Sequence, residues 1–219
     1  MAPPDERRAR LEAARLYLVI EAAPARAVVP AALRGGVDVV QLREKDAPAA
    51  EVVAAGRELR ALCDSFGALL VVNDSADLAL ECGADGVHVG QEDEPVDAVR
   101  RRVGPGVLIG LSTHSPEQVA AGERSEADYL GVGPVYATAT KPGVEPVGIE
   151  LVRHAAALAS KPWFAIGGID SARAPEVVAA GASRVAVVRA IRDAPDPRTA
   201  AEELRVAVLG RERVGGAAQ

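Results

Sequence analysis

Short apolar runs alternate eight times with longer segments of helical spacing along this chain, and few architectures accommodate that rhythm. The runs are Leu16 to Ile20, Val37 to Leu42, Ala68 to Val72, Gly86 to Val89, Val107 to Leu111, Tyr129 to Val132, Trp163 to Ile166 and Arg184 to Val188. Between them lie helical patterns near Arg26 to Arg34, Ala47 to Asp64, Ala76 to Cys82, Pro95 to Val103, Ser115 to Gly122, Ile149 to Ala159 and Ala174 to Ala180, with a last one from about Thr199 to Leu209. In the longest, Val52, Val53, Leu59 and Leu62 share one face. Ser115 and Pro116 read as N-cap and first helical residue, and Pro95 belongs to a first turn.

Eight such units predict an α/β chain forming a single (β/α)8 TIM barrel. An open doubly wound sheet is the main competitor, but no Gly-x-Gly-x-x-Gly turn follows the first run. The 219 residues suffice for one domain rather than two. With aromatics at only 3%, the core must be aliphatic, as parallel strands covered on both faces require. Residues 11–210 are expected to form the barrel, with flexible termini at 1–10 and 211–219.

Several functions are disfavoured. A formal net charge of −6 argues against nucleic acid as the main partner. No apolar run is long enough to span a bilayer, and no hydrophobic targeting segment follows Met1 to Arg10, so a cytoplasmic protein is expected. Cys63 and Cys82 lack the companions of a zinc cluster or disulfide framework and read as packing residues. Whether the chain assembles into a homo-oligomer stays open.

Barrel enzymes carry their chemistry on the loops leaving the strand C-termini. Here that rule selects Gln41, Arg43 and Lys45, Asn73 and Asp74, Gln91 and Asp93, Ser112 and His114, then Thr138, Thr140 and Lys141, and finally Gly167 and Gly168. Asp74 and Asp93 leave neighbouring strands, so both carboxylates can reach one magnesium ion, which favours hard oxygen ligands and substrate phosphates. Arg43, Lys45 and Lys141 add cations to the same rim, and a magnesium-bound diphosphate accounts for both signs of charge. Gly167-Gly168 and the segment after the eighth run, Val188-Arg189, suit a second phosphate site, where backbone N–H groups can approach a ligand closely.

These residues lie in recognisable strings: Gln41-Leu42-Arg43-Glu44-Lys45, Val72-Asn73-Asp74, Gly86 to Asp93, Gly110 to His114, Gly131 to Tyr136, Thr138-Ala139-Thr140-Lys141 and Ala165 to Ile169. From about Tyr17 to Leu209 the chain resembles the thiamine phosphate synthase (thiamine-phosphate pyrophosphorylase) family. The resemblance implies a magnesium-dependent transferase that joins 4-amino-5-hydroxymethyl-2-methylpyrimidine diphosphate to a thiazole phosphate. Its products are thiamine phosphate and diphosphate, with carbon dioxide lost when the thiazole is carboxylated. By the same resemblance, Gln41 and Ser112 hold the pyrimidine, within the string that includes Leu42 and Glu44. Arg43, Lys45, Asn73 and Lys141 bind its diphosphate, and Asp74 and Asp93 bind Mg2+. Thr138, Ala139, Thr140, Gly168, Val188 and Arg189 take the thiazole phosphate. Arg43, Lys45, Ser112 and Lys141 form the catalytic set, and no protein nucleophile is needed.

Arg189 departs from the family, where Ser is common, and the role of its side chain is undecided. Two other readings stay open. A thiazole tautomerase of the same superfamily uses a histidine after the sixth strand, whereas this chain has Gly133-Pro134-Val135-Tyr136 there. A non-catalytic phosphate-ligand sensor should have lost part of the metal and diphosphate set, and no loss is evident. His88 and His114 are the remaining proton-transfer candidates, with His88 expected to pack.

Overall fold

Val, Leu and Ile dominate the apolar runs, and such side chains favour strands packed on both faces. The computed structural model describes residues 3–138 and 145–210, and in it every run becomes a strand. These are β1 (Leu16–Ile20), β2 (Val39–Leu42), β3 (Leu69–Asn73), β4 (Gly86–Val89), β5 (Leu108–Thr113), β6 (Tyr129–Val132), β7 (Trp163–Ile166) and β8 (Val185–Val187). Each pairs in parallel with the next, and β8 returns to β1, closing the barrel.

The expected helices cover the outside: α2 (Ala22–Arg34), α3 (Ala49–Phe66), α4 (Ala76–Glu81), α5 (Val96–Val103), α6 (Pro116–Arg124), α7 (Gly148–Leu158), α8 (Ala174–Ala179) and α10 (Pro197–Leu209). Ser115 caps α6 by accepting from the Gln118 N–H, with Pro116 in the first turn as predicted. Pro95 instead stands at the N-cap of α5, one residue outside the helix.

Strand alternation sorts the core into two layers. Leu16, Leu18 and Ile20 of β1 point outward into an aliphatic layer beneath the helices. Tyr17 and Val19 point inward, where they meet Val39, Leu69, Val71, Leu108 and the rings of Tyr129 and Phe164. The Phe164 ring meets Tyr17 edge-on at 5.1 Å and Tyr129 at 5.9 Å. Half of the chain's few aromatic rings thus fill the barrel interior.

An acidic residue precedes each of three even-numbered strands: Asp38 before β2, Asp85 before β4 and Asp128 before β6. Each carboxylate accepts from a backbone N–H of the preceding strand: Leu16 at 3.0 Å, Leu70 at 2.9 Å and Ile109 at 2.8 Å. Each also pairs with arginine: Asp38 with Arg205, Asp85 with Arg7 and Arg60, and Asp128 with Arg100 and Arg8. These clamps sit at the strand N-termini, opposite the rim expected to carry chemistry.

Two elements differ from expectation. The N-terminal stretch is not a loose tail: α1 (Pro4–Ala13) lies across the barrel floor, with Arg7 and Leu11 buried. Leu11 joins the inner core, and Arg7 sets its guanidinium against Asp85 and the Gly106 carbonyl. With one arginine and one leucine as its buried anchors, α1 carries almost no apolar periodicity. The second is α9 (Arg189–Arg192), a single turn that begins right after β8 and shortens that strand. The expected flexible segment 211–219 lies outside the described residues.

The Asp85 clamp yields a stability prediction. Asp85→Ala strands two guanidinium groups and a buried strand N–H, and should cost about 3–5 kcal/mol. Urea denaturation would measure it; a loss under 1 kcal/mol would remove the clamp from the account of the fold.

Candidate active site

At the C-terminal rim the barrel opens into a cavity of about 340 Å³. Gln41, Arg43, Asn73, Ser112, Thr138, Gly168, Val188 and Arg189, all singled out from the sequence, line it together. Gln41, Asn73 and Ser112 reach it because alternation turns them inward, above the layer containing Val39, Val71 and Gly110. Ala139, Thr140 and Lys141 lie outside the described residues.

Two members of the Gln41 to Lys45 string do other work. Leu42 alternates outward from Gln41 and is fully buried under the helices, so its side chain does not line the cavity. Glu44 accepts from the Ala22 N–H at 2.5 Å, where the free backbone donors of the α2 N-terminus favour a carboxylate. It therefore ties the β2 exit loop to α2. Lys45 is exposed beside the cavity, near enough to Asp74 to favour that group's charged form.

The carboxylate pair does assemble. The Asp74 carboxyl lies within hydrogen-bonding reach of Asp93. Burial, and then Asp93, push the Asp74 carboxyl up to about 6, although Arg43 and Lys45 oppose the rise. Asp74 also has φ 61°, a left-handed conformation that non-glycine residues rarely adopt and that gathers at functional sites. Its N–H donates to the His88 carbonyl at 2.8 Å, which holds the strained residue at the end of β3. Asp93 accepts from the Gly90 N–H at 2.7 Å and so shapes the loop leaving β4. Among the described residues, no group of three or more His, Cys, Asp or Glu side chains could hold a metal. Two hard oxygen donors still fit magnesium, which commonly completes its shell with phosphate and water.

The opposite wall is built from backbone and cations. Gly168 has φ +64°, and a Cβ there would lie 2.8 Å from the Ala137 carbonyl oxygen. Arg173, not anticipated from the sequence, donates to the Gly168 carbonyl at 2.7 Å and stands 4.9 Å above the Tyr136 ring. Tyr136 in turn donates to Glu176 at 2.7 Å. Arg189 opens α9 with an exposed side chain 4.0 Å from Asp193.

His88 is the largest surprise. Rather than packing apolar, it lines the cavity, with Nε2 2.9 Å from Ser112 Oγ and Nδ1 3.2 Å from Tyr129 Oη. The facing glycines were the available signal. A Cβ on Gly110 would sit 2.3 Å from His88 Nδ1, and one on Gly131 3.3 Å from Cε1. Both strands therefore leave room for an inward imidazole. His114 also borders the cavity, and its Nδ1 engages the Gly133 carbonyl.

With this geometry in place, the comparisons are specific. The model of the thiamine monophosphate synthase family matches residues 16–191. The thiamine-phosphate synthase of Gloeobacter violaceus is 55% identical over 191 residues, which cover 87% of this chain; the chain spans only 56% of that longer relative. That of Mycobacterium bovis is 49% identical over 214 residues, covering 91% of this chain and 96% of the relative. Among solved structures, thiamine phosphate pyrophosphorylase from Pyrococcus furiosus superposes with a TM-score of 0.84 at 37% identity, covering 95% of this chain and 99% of that one. The chain belongs to the thiamine monophosphate synthase family.

Proposed function

We propose that this protein is a thiamine phosphate synthase, joining the aminopyrimidine diphosphate to a thiazole phosphate with release of diphosphate. The observation that carries the reading is the asymmetry of the cavity. Arg43 lines one part of the cavity and stands near Asp74, which also has Asp93 and Lys45 as neighbours, while Gly168, Val188 and Arg189 line another part. Two anionic ends, one of them a leaving group, match that division. Carbon dioxide would leave as well when the thiazole is carboxylated.

In this reading Gln41 and Ser112 hold the pyrimidine, and Arg43, Lys45, Asn73 and Lys141 hold its diphosphate. Arg43 forks across two phosphate oxygens, whereas each lysine acts as a point charge. Asp74 and Asp93 would hold Mg2+, which when bound supplies positive charge to the departing diphosphate. The bond from the pyrimidine methylene carbon to the diphosphate oxygen breaks first, with its electron pair leaving on the diphosphate. The electron-rich aminopyrimidine stabilises the resulting cation. The thiazole nitrogen then donates its lone pair to the methylene carbon. Tyr17, Tyr129 and Phe164 close the cavity floor and keep water from competing for that carbon. Thr138, Ala139, Thr140, Gly168, Val188 and Arg189 would hold the thiazole phosphate.

No described helix is long and apolar enough to cross a membrane. Both cysteines are buried and unpaired, which suits a reducing cytoplasm and belongs to the same proposal.

Incubation of the protein with both substrates should release diphosphate with Mg2+ and stop with a chelator; no release with any divalent metal would sink the synthase reading. Asp93→Asn separates two duties, because the amide oxygen can still accept from the Gly90 N–H while the charge is gone. It should lower kcat by roughly 10²-fold or more, with thiazole phosphate affinity unchanged in calorimetry. Near-normal turnover would dissociate Asp93 from the metal. Gly168→Ala should do the reverse. Its Cβ costs about 1–2 kcal/mol of left-handed strain and crowds Ala137, so thiazole phosphate should bind more weakly while pyrimidine diphosphate binding persists.

A further inference from the structure

Five polar side chains run in a chain across the barrel interior, from β2 through β1, β6 and β4 to β5. Gln41 Nε2 donates to Tyr17 Oη at 2.8 Å, Tyr17 Oη lies 3.0 Å from Tyr129 Oη, and His88 links Tyr129 to Ser112. Tyr17, Tyr129 and Gln41 are all buried.

The direction of this chain follows from counting protons. Each phenol has one O–H to donate, and burial holds both phenols well above their ordinary pKa, so both stay protonated. Tyr17 Oη already accepts from Gln41, and among the described residues its remaining hydroxyl neighbour is Tyr129. Were Tyr129 to donate to Tyr17, the Tyr17 proton would be buried without an acceptor, at a cost comparable to a lost hydrogen bond. Tyr17 therefore donates to Tyr129. Tyr129 then donates to His88 Nδ1, and the imidazole proton sits on Nε2, where it donates to Ser112 Oγ. Ser112 has accepted, so its own proton is turned toward the cavity.

We propose that this one-way relay makes His88 a positioning residue: it presents Ser112 as a hydrogen-bond donor and leaves the Gln41 amide oxygen as an acceptor, so the site selects a 4-aminopyrimidine over its 4-oxo counterpart. The edge of a 4-aminopyrimidine offers an N–H donor next to a ring-nitrogen acceptor, complementary to that pair. The 4-oxo ring offers the reverse, an oxygen acceptor next to an N–H donor, and would set donor against donor. The choice of ligand rests on the synthase reading; the polarity of the relay does not.

Two measurements separate them. In 15N-histidine spectra of the substrate-free protein, assigned by loss of the signal in His88→Gln, His88 should be the neutral Nε2–H tautomer. A proton on Nδ1 would mean that the chain runs backward with Ser112 as an acceptor, and would overturn the proposal whether or not the protein makes thiamine phosphate. The second measurement compares kcat/KM for the 4-aminopyrimidine diphosphate and its 4-oxo analogue. Tyr129→Phe removes the link between Tyr17 and His88. It should narrow that preference by roughly tenfold, about the worth of one hydrogen bond. The change should appear mainly in KM for the pyrimidine, with thiazole phosphate affinity retained. An unchanged preference in a variant that still binds thiazole phosphate would overturn the relay. If Tyr129→Phe does not fold, the tautomer in the unaltered protein still decides. If the unaltered protein releases no diphosphate, the synthase reading fails and the tautomer alone judges the relay.

Discussion

Everything at the rim depends on strand register, and register is set at the floor by three aspartates. Asp38, Asp85 and Asp128 each bond the N–H of the neighbouring strand while paired to arginine. A parallel strand that slipped by one residue would exchange its two faces and turn its functional side chains into the helix layer. On β2 the slip would bring Leu42 into the cavity and send Gln41 under the helices. Burying a carboxylate as deeply as Asp85 is unfavourable in isolation. Two guanidinium groups and a strand N–H offset that penalty. One of those guanidinium groups belongs to α1, so the floor helix and the strand clamp act as one unit.

The two core layers divide the labour. Outside, aliphatic side chains from the strands meet the helices, and their interlocking supplies most of the hydrophobic stabilisation. Inside, the filling changes with height: Leu11, Leu69 and Leu108 near the floor, aromatic rings above them, then polar groups at the cavity. Gly110 belongs to this gradient, because any side chain there would overlap the Tyr129 ring. The small residue makes room for the large one, and the large one carries the hydroxyl that His88 needs.

Much of this was legible in the sequence, for physical reasons that also explain the gaps. The eight strands stand out because buried parallel strands are continuous apolar runs, and Asn73, Ser112 and Gly168 could be placed because they follow such runs. As members of one string Leu42 and Glu44 group with the site, but a string ignores the two-residue alternation that turns the Leu42 side chain away. Glu44 found a helix N-terminus that is distant in sequence. The floor helix α1 leaves little trace in the sequence because one of its two buried anchors is Arg7, whose partner Asp85 lies far along the chain. In the sequence His88 reads as packing because its neighbours Val87 and Val89 are apolar. They are apolar because they face the helices, while His88 faces the interior between them.

His88 joins the carboxylate pair to the hydroxyl assigned to the pyrimidine. Its carbonyl holds the Asp74 N–H, and with it the left-handed turn that presents one carboxylate of the pair. Its imidazole holds Ser112, on the side assigned to the pyrimidine. The backbone of one residue thus places an acidic group while its side chain places a hydroxyl, and both are fixed to the same point on β4. A ligand with a diphosphate on one end and a ring on the other must span these two positions. Both positions are tied to a single residue of the closed sheet. Rigidity of this kind favours bond cleavage, since the leaving group and the ring are held in fixed relation while the bond between them lengthens. The closed barrel beneath holds the left-handed Asp74 in place.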